Sequence, residues 1–434
     1  MKDIKQEVAD FLRFYQMDHL DVDFDGNLDV FMDEMAKGLA GHGSSLEMIP
    51  TYLETINEIP VNERVIVADA GGTNFRVATV YFDENKRAVI ENLQKFSMPA
   101  IDCELSRKEF FEAMAGYFRD VITAAEKIGF CFSYPVEILP NKDGRVIRFA
   151  KEIKAPEVVG QLVNENLNVA ITDMGIGKRK HIVLLNDTVA TLLAGVGYQN
   201  RDFDSYIGFI LGTGTNCSYV ESNVNIARLK GLDAGKSQII NTESGGMGKS
   251  HRGRIDLDYD ATTNNPGVHV FEKMISGAYL GAFYLLTVQR AASDGLLSEP
   301  VAESITPITE LTTKDMNDFM CYPYGDNRLA TVCKDSEKDA KLLYVMADRL
   351  VERAAKLTAV NLSAMALKSG KGTDPTRPIC IVADGTTFYH MKTLKSRVEF
   401  YLKRYLEDQR GIYTDIINID NAPVIGAAIA GLTN

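Results

Sequence analysis

The chain has 434 residues, of which 45% are apolar, with 34 glycines and 13 prolines, and this composition is typical of a large α/β protein of two domains rather than a disordered or fibrous one. Acidic residues outnumber basic ones by 59 to 47, which argues against a nucleic-acid partner. All apolar runs are shorter than the ~18 residues of a membrane span, and the six cysteines show no C-x-x-C spacing, so we expect a soluble, cytoplasmic protein with reduced thiols and no membrane partner.

The first predicted element is helical and covers residues 3–59. Its clearest part is "NLDVFMDEMAKGLAG", where a glycine follows the last apolar residue and predicts the end of a helix. The spacing places five apolar side chains on one face, namely Leu28, Phe31, Met32, Met35 and Leu39.

From "ERVIVADA" onward the pattern predicts strand, tight turn and strand. The helix-like segment "SRKEFFEAMAGYFRDVITAAEKIG" follows, which Ser106 can cap, and the strands "GFCFSYPV" and "HIVLLND" come next. We assign these elements to a small domain of residues 60–190, completed by residues 418–434.

A second set of strands opens at "SYIGFILGTGTNCSYVE", and helices are predicted at 268–294 and 335–370, the latter ended by Gly370. The strand "PICIVADGTT" precedes the amphipathic "LKSRVEFYLKRYLED". The chain closes with the helix "NAPVIGAAIAGL", where Pro423 suits the first turn. Residues 1–59 and 191–417 form the predicted large domain.

One pattern occurs three times: an apolar strand runs into a short turn of glycine and threonine, in "VIVADAGGTN", "GFILGTGTN" and "ICIVADGTT". Backbone N–H groups in such a turn form a concave anion site, and glycine lets phosphate oxygens approach. A single turn of this kind is more often an ordinary hairpin. Three of them together predict a polyphosphate site.

Asp69 ends the first of these strands. A carboxylate beside phosphates is repelled unless a divalent cation lies between them, so we expect Asp69 to reach Mg²⁺ through water. The alternative is an aspartate that only caps the turn.

Other ligand-binding motifs are absent. In "GGMGKS" at 245–250 the leading glycine of a P-loop would fall on Glu243, and no G-x-G-x-x-G occurs. The histidines and cysteines do not cluster as a transition-metal site requires. The start, "MKDIKQEVADFLRFY", lacks the apolar region of a signal peptide.

Seven segments occur in the order expected of the hexokinase family, within the actin-like ATPase superfamily, and the chain resembles that family from about residue 28 to its end. They are "ADAGGTNFRV", "FCFSYPVE", "LLNDTVATLLAG", "ILGTGTNCSYVE", "INTESGG", "NPGVHVFEKMISGAYLG" and "VADGTTFY". The resemblance implies an α/β fold of two ribonuclease-H-like halves around an interdomain cleft. It also implies transfer of phosphate from MgATP to the 6-hydroxyl of a hexose.

By this resemblance, Asp187 in "LLNDT" is the general base, and Lys151 and Arg76 are the other catalytic residues. From the residues alone, the commoner role for Asp187 is the N-cap of the following helix, which is compatible with catalysis. The resemblance implies sugar contacts for Ser133, Lys151, Asn186, Asp187, Asn216, Glu243 and Glu272. Without it, Ser133 would be a structural hydroxyl, Lys151 a surface lysine and Glu272 a solvated helix residue.

The resemblance further implies that the three turns bind the nucleotide. The matched residues are Asp69, Gly71, Gly72, Thr73, Asn74 and Arg76 in the first turn, Thr213, Gly214 and Thr215 in the second, and Asp384, Gly385 and Thr386 on the adenosine side. Arg76 is expected to stabilise charge on the γ-phosphoryl group, and its alternative role is that of an arginine lying along an edge strand.

Two positions depart from the family's pattern. Ala150 stands where threonine usually precedes the matched lysine, and Ser244 stands where tryptophan usually follows Glu243. Loss of one hydrogen bond, worth about 1 kcal/mol, would weaken or broaden hexose binding without changing the reaction.

Two other classes of protein share the three turns. A sugar-sensing regulator or an actin-like polymer would bind nucleotide without catalysis. Asp187 and the set of sugar-matching residues argue against this class, since no filament requires them. An acyl-phosphate kinase of the same superfamily also has no use for them. We therefore expect a hexokinase that acts as a monomer or homodimer.

Overall fold

A computed structural model describes residues 3–55, 58–149, 153–198 and 201–434. The helices are α1 (Ile4–Phe14), α2 (Phe24–Ala40), α3 (Arg107–Tyr117), α4 (Val163–Asp173), α5 (Asp187–Val196), α6 (Arg254–Thr262), α7 (Val270–Ile275), α8 (Leu280–Ser293), α9 (Glu299–Ile305), α10 (Thr313–Cys321), α11 (Arg328–Val332), α12 (Glu337–Ser369), α13 (Thr386–His390), α14 (Leu394–Leu402), α15 (Asp408–Arg410) and α16 (Ala422–Thr433). The strands are β1 (Ile49–Pro50), β2 (Val65–Ala70), β3 (Asn74–Phe82), β4 (Ala88–Ser97), β5 (Lys127–Phe132), β6 (Val136–Ile138), β7 (Gly144–Val146), β8 (His181–Leu185), β9 (Ser205–Leu211), β10 (Thr215–Ser222), β11 (Ser237–Asn241), β12 (Ile379–Asp384) and β13 (Thr414–Ile417).

The N-terminal segment is helical only as far as Ala40, so the prediction of helix up to residue 59 is wrong in its second part. Gly41 ends α2 in the left-handed conformation, with φ of 75°. Ile49 and Pro50 then pair with β11. Pairing with a strand almost 200 residues later overrides local preference, and no pattern within the segment reports it.

The smaller of the two main sheets has five strands in the order β4-β3-β2-β5-β8. Strands β2, β5 and β8 run parallel, while β3 and β4 run antiparallel to their neighbours. The carboxyl ends of parallel strands meet at one edge of a sheet, so the residues that follow these three strands lie side by side. Asp69, Ser133 and Asp187 come from these ends.

The larger sheet has six strands in the order β1-β11-β10-β9-β12-β13. Strands β9 and β12 are parallel, with Ile207 opposite Ile381 in the register. The second and third glycine turns follow these two strands and therefore lie at the same edge.

Helices α5 and α16 join the two sheets through close backbone contacts. A Cβ at Gly426 of α16 would lie 1.7 Å from Ala190 O of α5, and one at Gly208 of β9 would lie 2.1 Å from Thr188 O. Because α5 packs against strands of the larger sheet while α16 packs against β5, the predicted domain boundary at residue 190 falls inside a shared element. The division into domains stays a prediction.

Several local predictions are confirmed. Ser106 caps α3 in a capping box with Glu109, and Gly370 ends α12 with φ of 65°. The helix predicted at 268–294 is divided into α7 and α8. No helix in the described part of the chain combines the length and apolarity that crossing a bilayer requires.

Candidate active site

The first glycine turn joins β2 to β3, and two hydrogen bonds fix its backbone. Gly71 N donates to Asn74 O at 2.9 Å, and the Tyr134 hydroxyl donates to Gly71 O at 2.8 Å. Thr73 is exposed, and Gly72 is half-buried. The sequence did not single out Tyr134, since its role depends on β5 lying beside β2.

Arg76 lies directly opposite Asp69 in the β2–β3 register. Its Nη1 atom is 3.7 Å from Asp69 Oδ2, and 41% of its side chain is exposed. Strand β3 lies between β4 and β2, so the alternative of an arginine on an edge strand is wrong. The guanidinium group is available to an anion at the first turn.

The second and third turns touch each other. The Thr387 hydroxyl donates to Gly212 O at 2.9 Å. Gly385 has φ of 115°, and a Cβ there would lie 2.3 Å from Leu211 O. Glycine is therefore required at residue 385 both for the backbone conformation and for the close approach.

A cavity of about 440 Å³ opens beside these two turns, and we call it the α10–α13 cavity. Its walls include Thr213 of the second turn, Thr386 of the third turn, and Lys314, Asn317 and His390. No sequence motif marks the α10 residues, so sequence reasoning missed them.

Asp69 lies within electrostatic reach of two acids that follow other strands, Asp187 and Asp384. Burial raises the pKa of Asp69 to about 6; Arg76 lowers it, and the carboxylates of Asp187 and Asp384 raise it. The first turn, the start of α5 and the third turn therefore converge on one region. Asp384 itself accepts a hydrogen bond from Gly385 N at 2.6 Å.

Asp187 is the first residue of α5, and Asn186 takes the N-cap position. Asn186 has an extended backbone, and its Oδ1 accepts from Thr188 N at 2.9 Å. The alternative in which Asp187 is the N-cap is wrong, because Asp187 already lies inside the helix. Its Oδ1 does accept from Thr188 N at 2.8 Å, a bond that orients the carboxylate at the helix N-terminus.

Glu243 follows β11 in the left-handed conformation, with φ of 53°. Its Oε1 accepts from Asn241 Nδ2 at 2.8 Å and from Asn216 Nδ2 at 3.1 Å. A left-handed backbone costs a non-glycine residue about 1–3 kcal/mol. The two amides hold the carboxylate in the position that this backbone conformation gives it. Asn241 was not predicted, although its position two residues before Glu243 could have suggested it.

Burial raises the pKa of Glu243 to about 7. The hydrogen bond from Asn241 and the charge of Arg148 lower it, whereas Glu47 and Asp187 raise it. Asp187 therefore acts on Glu243 as well as on Asp69.

Glu272 lies on α7 and reaches the second turn. Its Oε2 accepts from Thr215 N at 2.9 Å, and a Cβ at Gly214 would lie 2.5 Å from the same oxygen. The alternative of a solvated helix residue is wrong, because the carboxylate is half-buried and bound to the turn.

Of the other predicted sugar contacts, Ser133 is described by the structure and Lys151 is not. Ser133 follows β5, and its N–H donates to Ala70 O at 3.0 Å, so it lies beside the first turn. Lys151 lies outside the described residues, as does Ala150, which stands where the family usually has threonine.

A magnesium site made of protein ligands alone is not present, because no three metal-ligating side chains lie together in the described residues. Asp187 and Asp384 raise the pKa of Asp69, so these carboxylates lie within electrostatic reach of it. Such a group fits a cation that takes most of its ligands from phosphate and water.

The fold is similar to that of solved hexokinases. A Schistosoma mansoni hexokinase complexed with glucose matches with a TM-score of 0.78, 21% identity and coverage of 99% of both chains. A second hexokinase crystal structure matches with a TM-score of 0.78 and coverage of 98% of both chains. The predicted two-domain, actin-like ATPase fold is confirmed.

Sequence comparison points to the same family. Hexokinase-1 of Spinacia oleracea is 30% identical over 431 residues, which cover 92% of this chain and 85% of that protein. A glucokinase of Aspergillus niger is 29% identical over 400 residues, 79% of each chain. Two family models described as hexokinase match residues 16–196 and 206–433. The chain therefore belongs to the hexokinase family of sugar phosphotransferases.

Proposed function

We propose that the protein transfers the γ-phosphoryl group of ATP to the 6-hydroxyl of a hexose such as glucose, with Asp187 as the general base. The observation that carries this proposal is the position of Asp187, whose charge acts both on Asp69 beside the first turn and on Glu243. A carboxylate whose charge reaches both groups can accept a proton from a hydroxyl that faces the phosphates.

The sugar is bound by several fixed donors and acceptors, because each unmatched buried hydroxyl is costly. Asn216 donates to Glu243, and Glu272 accepts from the N–H of Thr215, the residue before Asn216, so hydrogen bonds fix all three side chains. The other proposed sugar contacts are Ser133, Lys151 and Asn186. The glucose complex of the Schistosoma mansoni hexokinase supports a hexose as the ligand of this fold.

The nucleotide lies across the three glycine turns in this proposal. Arg76, beside Asp69, offsets charge on the γ-phosphoryl group, and Asp69 binds Mg²⁺ through water. The ion would supply charge neutralisation of the phosphates. The α10–α13 cavity, next to Thr213 and Thr386, has room for the nucleoside.

Transfer is in line, and closure of the two domains around the hexose excludes water. Lys151 is proposed to orient the sugar or to ease charge at the transferring group. With Ala150 in place of the usual threonine, we expect weaker or broader hexose selectivity.

Substitution of Asp187 tests the proposed base. We expect Asp187→Asn and Asp187→Ala to lower kcat by about 10²–10⁴-fold, while the glucose Kd from calorimetry stays within about twofold. The matched control is Asp173→Asn, an exposed acid at the end of α4, which should leave both quantities unchanged. Near-normal turnover of the Asp187 variants would exclude this role.

The acceptor is tested with a coupled assay of ADP formation. Glucose, mannose, fructose and N-acetylglucosamine should reveal the preferred hexose, and acetate serves as the acceptor of the rival acyl-phosphate kinase. Turnover with acetate and none with the sugars would overturn the proposed substrate class.

A further inference from the structure

We propose that Lys273 is a positioning residue that holds Glu272 in the orientation needed to bind the sugar, an inference that rests on the sugar-binding role proposed above for Glu272. Lys273 is the next residue on α7, and only 2% of it is exposed. A lysine this deeply buried needs partners for its charge, and the positions of those partners indicate what the side chain does.

The ammonium group of Lys273 donates to one oxygen of α6 and to two oxygens of the loop that follows it. It contacts Asp260 Oδ1 at 2.6 Å, Thr263 Oγ1 at 2.8 Å and Asn265 O at 2.8 Å. An ammonium group has three donors, so each of them has an acceptor. The second oxygen of Asp260 accepts from Gly267 N at 2.9 Å. The end of α6 and the loop that leads into α7 therefore surround this ammonium group.

Helix α7 has six residues, and isolated helices shorter than about 12 residues are marginal in water. Its orientation therefore depends on its contacts with the rest of the protein. Its C-terminal end is fixed to the second turn, where Gly277 N donates to Gly212 O at 2.8 Å and Ala278 N donates to Thr213 O at 3.0 Å. The contacts of Lys273 connect α7 to α6 and to the loop that precedes α7.

Lys273 and Glu272 restrain rotation of α7 from two directions. Adjacent helical residues point about 100° apart, so Glu272 reaches Thr215 N while Lys273 reaches Asp260 on another side. The apolar side chains of α7, such as Phe271 and Ile275, are fully buried, but apolar contacts are not directional. Hydrogen bonds are directional, and the lysine therefore sets the rotation of the helix and with it the direction of the Glu272 carboxylate.

The test compares Lys273→Met with the matched control Lys180→Met. Lys180 is also buried, at 8% exposure, and it donates to Ala125 O at 2.9 Å, but it precedes β8 at the end opposite Asp187. Both variants should lose thermal stability. We expect only Lys273→Met to raise the sugar KM, by about tenfold, as for loss of one charged hydrogen bond, with the ATP KM unchanged.

A double variant separates positioning from folding. Lys273→Met removes the close partner of the Asp260 carboxylate and leaves it only Arg252, at 3.7 Å from Oδ2, so Lys273→Met/Asp260→Asn should recover stability without recovering the sugar KM. A sugar KM at the native value in this folded double variant would show that Lys273 is only structural and would overturn the proposal.

Glu272→Gln separates the sugar-binding role of Glu272 from the positioning role of Lys273. If Glu272→Gln raises the sugar KM and the Lys273 variants do not, the positioning role is wrong and the role of Glu272 stands. If Glu272→Gln leaves the sugar KM unchanged, the sugar-binding role of Glu272 is wrong, and the inference about Lys273 is wrong with it.

Discussion

At the scale of single residues, the site depends on two acids for which burial outweighs the effect of the cation nearby. Glu243 has amide partners in Asn216 and Asn241, whereas Asp69 has Arg76 at 3.7 Å. Burial raises the pKa of both carboxyl groups, to about 7 for Glu243 and about 6 for Asp69. Such shifts are common in groups that contact substrate, because a site built for polar ligands is incompletely solvated without them.

The raised pKa of Glu243 predicts a pH-dependent loss of stability. Its pKa rises from an ordinary 4.5 to about 7 in the folded protein, so between these values the folded state binds a proton that the unfolded chain has released. The stabilisation is complete below pH 4.5 and is lost as the pH rises through 7.

The Glu243→Gln variant isolates this effect, since glutamine keeps an acceptor for Asn216 and Asn241 but does not titrate. We expect the Tm of the native protein, measured relative to Glu243→Gln, to fall between pH 5 and pH 8. Glu47, Asp187 and Arg148 are the charged groups that act on Glu243, and they are unchanged in the variant. A constant difference in Tm would contradict the shifted pKa.

At the scale of elements, small residues let α5, α16 and β5 approach one another. A Cβ at Gly129 of β5 would lie 1.8 Å from Ala427 O of α16. Helix α16 is apolar around its whole circumference, with Ala427, Ala428 and Ala430 fully buried. Because Asp187 is the first residue of α5, the packing of this helix against α16 helps to place the proposed base.

Gly426→Ala should disrupt this packing. The added methyl group would meet Ala190 O, a backbone atom that cannot turn away, so we expect a loss of about 1–3 kcal/mol in the free energy of unfolding measured with denaturant. Gly116→Ala in α3 is the control, since nothing lies within 4 Å of its Cβ, and it should stabilise by about 0.4–1 kcal/mol. Equal effects of the two substitutions would show that the contact between α5 and α16 is not tight.

At the scale of the whole molecule, one ion pair links the two halves near the sugar-side residues. Arg148 follows β7 of the small half, and Glu47 precedes β1 of the larger sheet, with 3.6 Å between Nη2 and Oε1. The side chains are 44% and 37% exposed. A pair this exposed is worth about 0.2–1 kcal/mol, and it forms only when the two halves lie this close.

Charge reversal tests whether the pair favours this arrangement. We expect Arg148→Glu to raise the sugar KM by about three- to tenfold at low salt, because it sets like charges against each other and adds a negative charge near Glu243. Glu47→Arg/Arg148→Glu should restore most of the loss. The effect should shrink in 1 M salt, where charges are screened within about 3 Å. Failure of the double variant to recover would show that the pair does not contribute.

Much of the fold was predictable, because its signals lie within short segments. Ser106 and Gly370 mark helix ends through local hydrogen bonding and backbone conformation, and both predictions are confirmed. The N-terminal segment after Ala40 was not predictable, since its pairing with β11 depends on a strand almost 200 residues away. The roles of the individual site residues stay predictions.

By itself, the sequence determined the apolar strands, the three glycine turns and the acids beside them, because side-chain periodicity and glycine's backbone freedom are properties of neighbouring residues. Only the tertiary structure decided that Glu272 binds a turn 57 residues away, that the charge of Asp187 acts on both Asp69 and Glu243, and that Lys273 donates to Asp260 of α6. These contacts join residues distant in sequence, and they exist only because α5 and α16 pack the two sheets together.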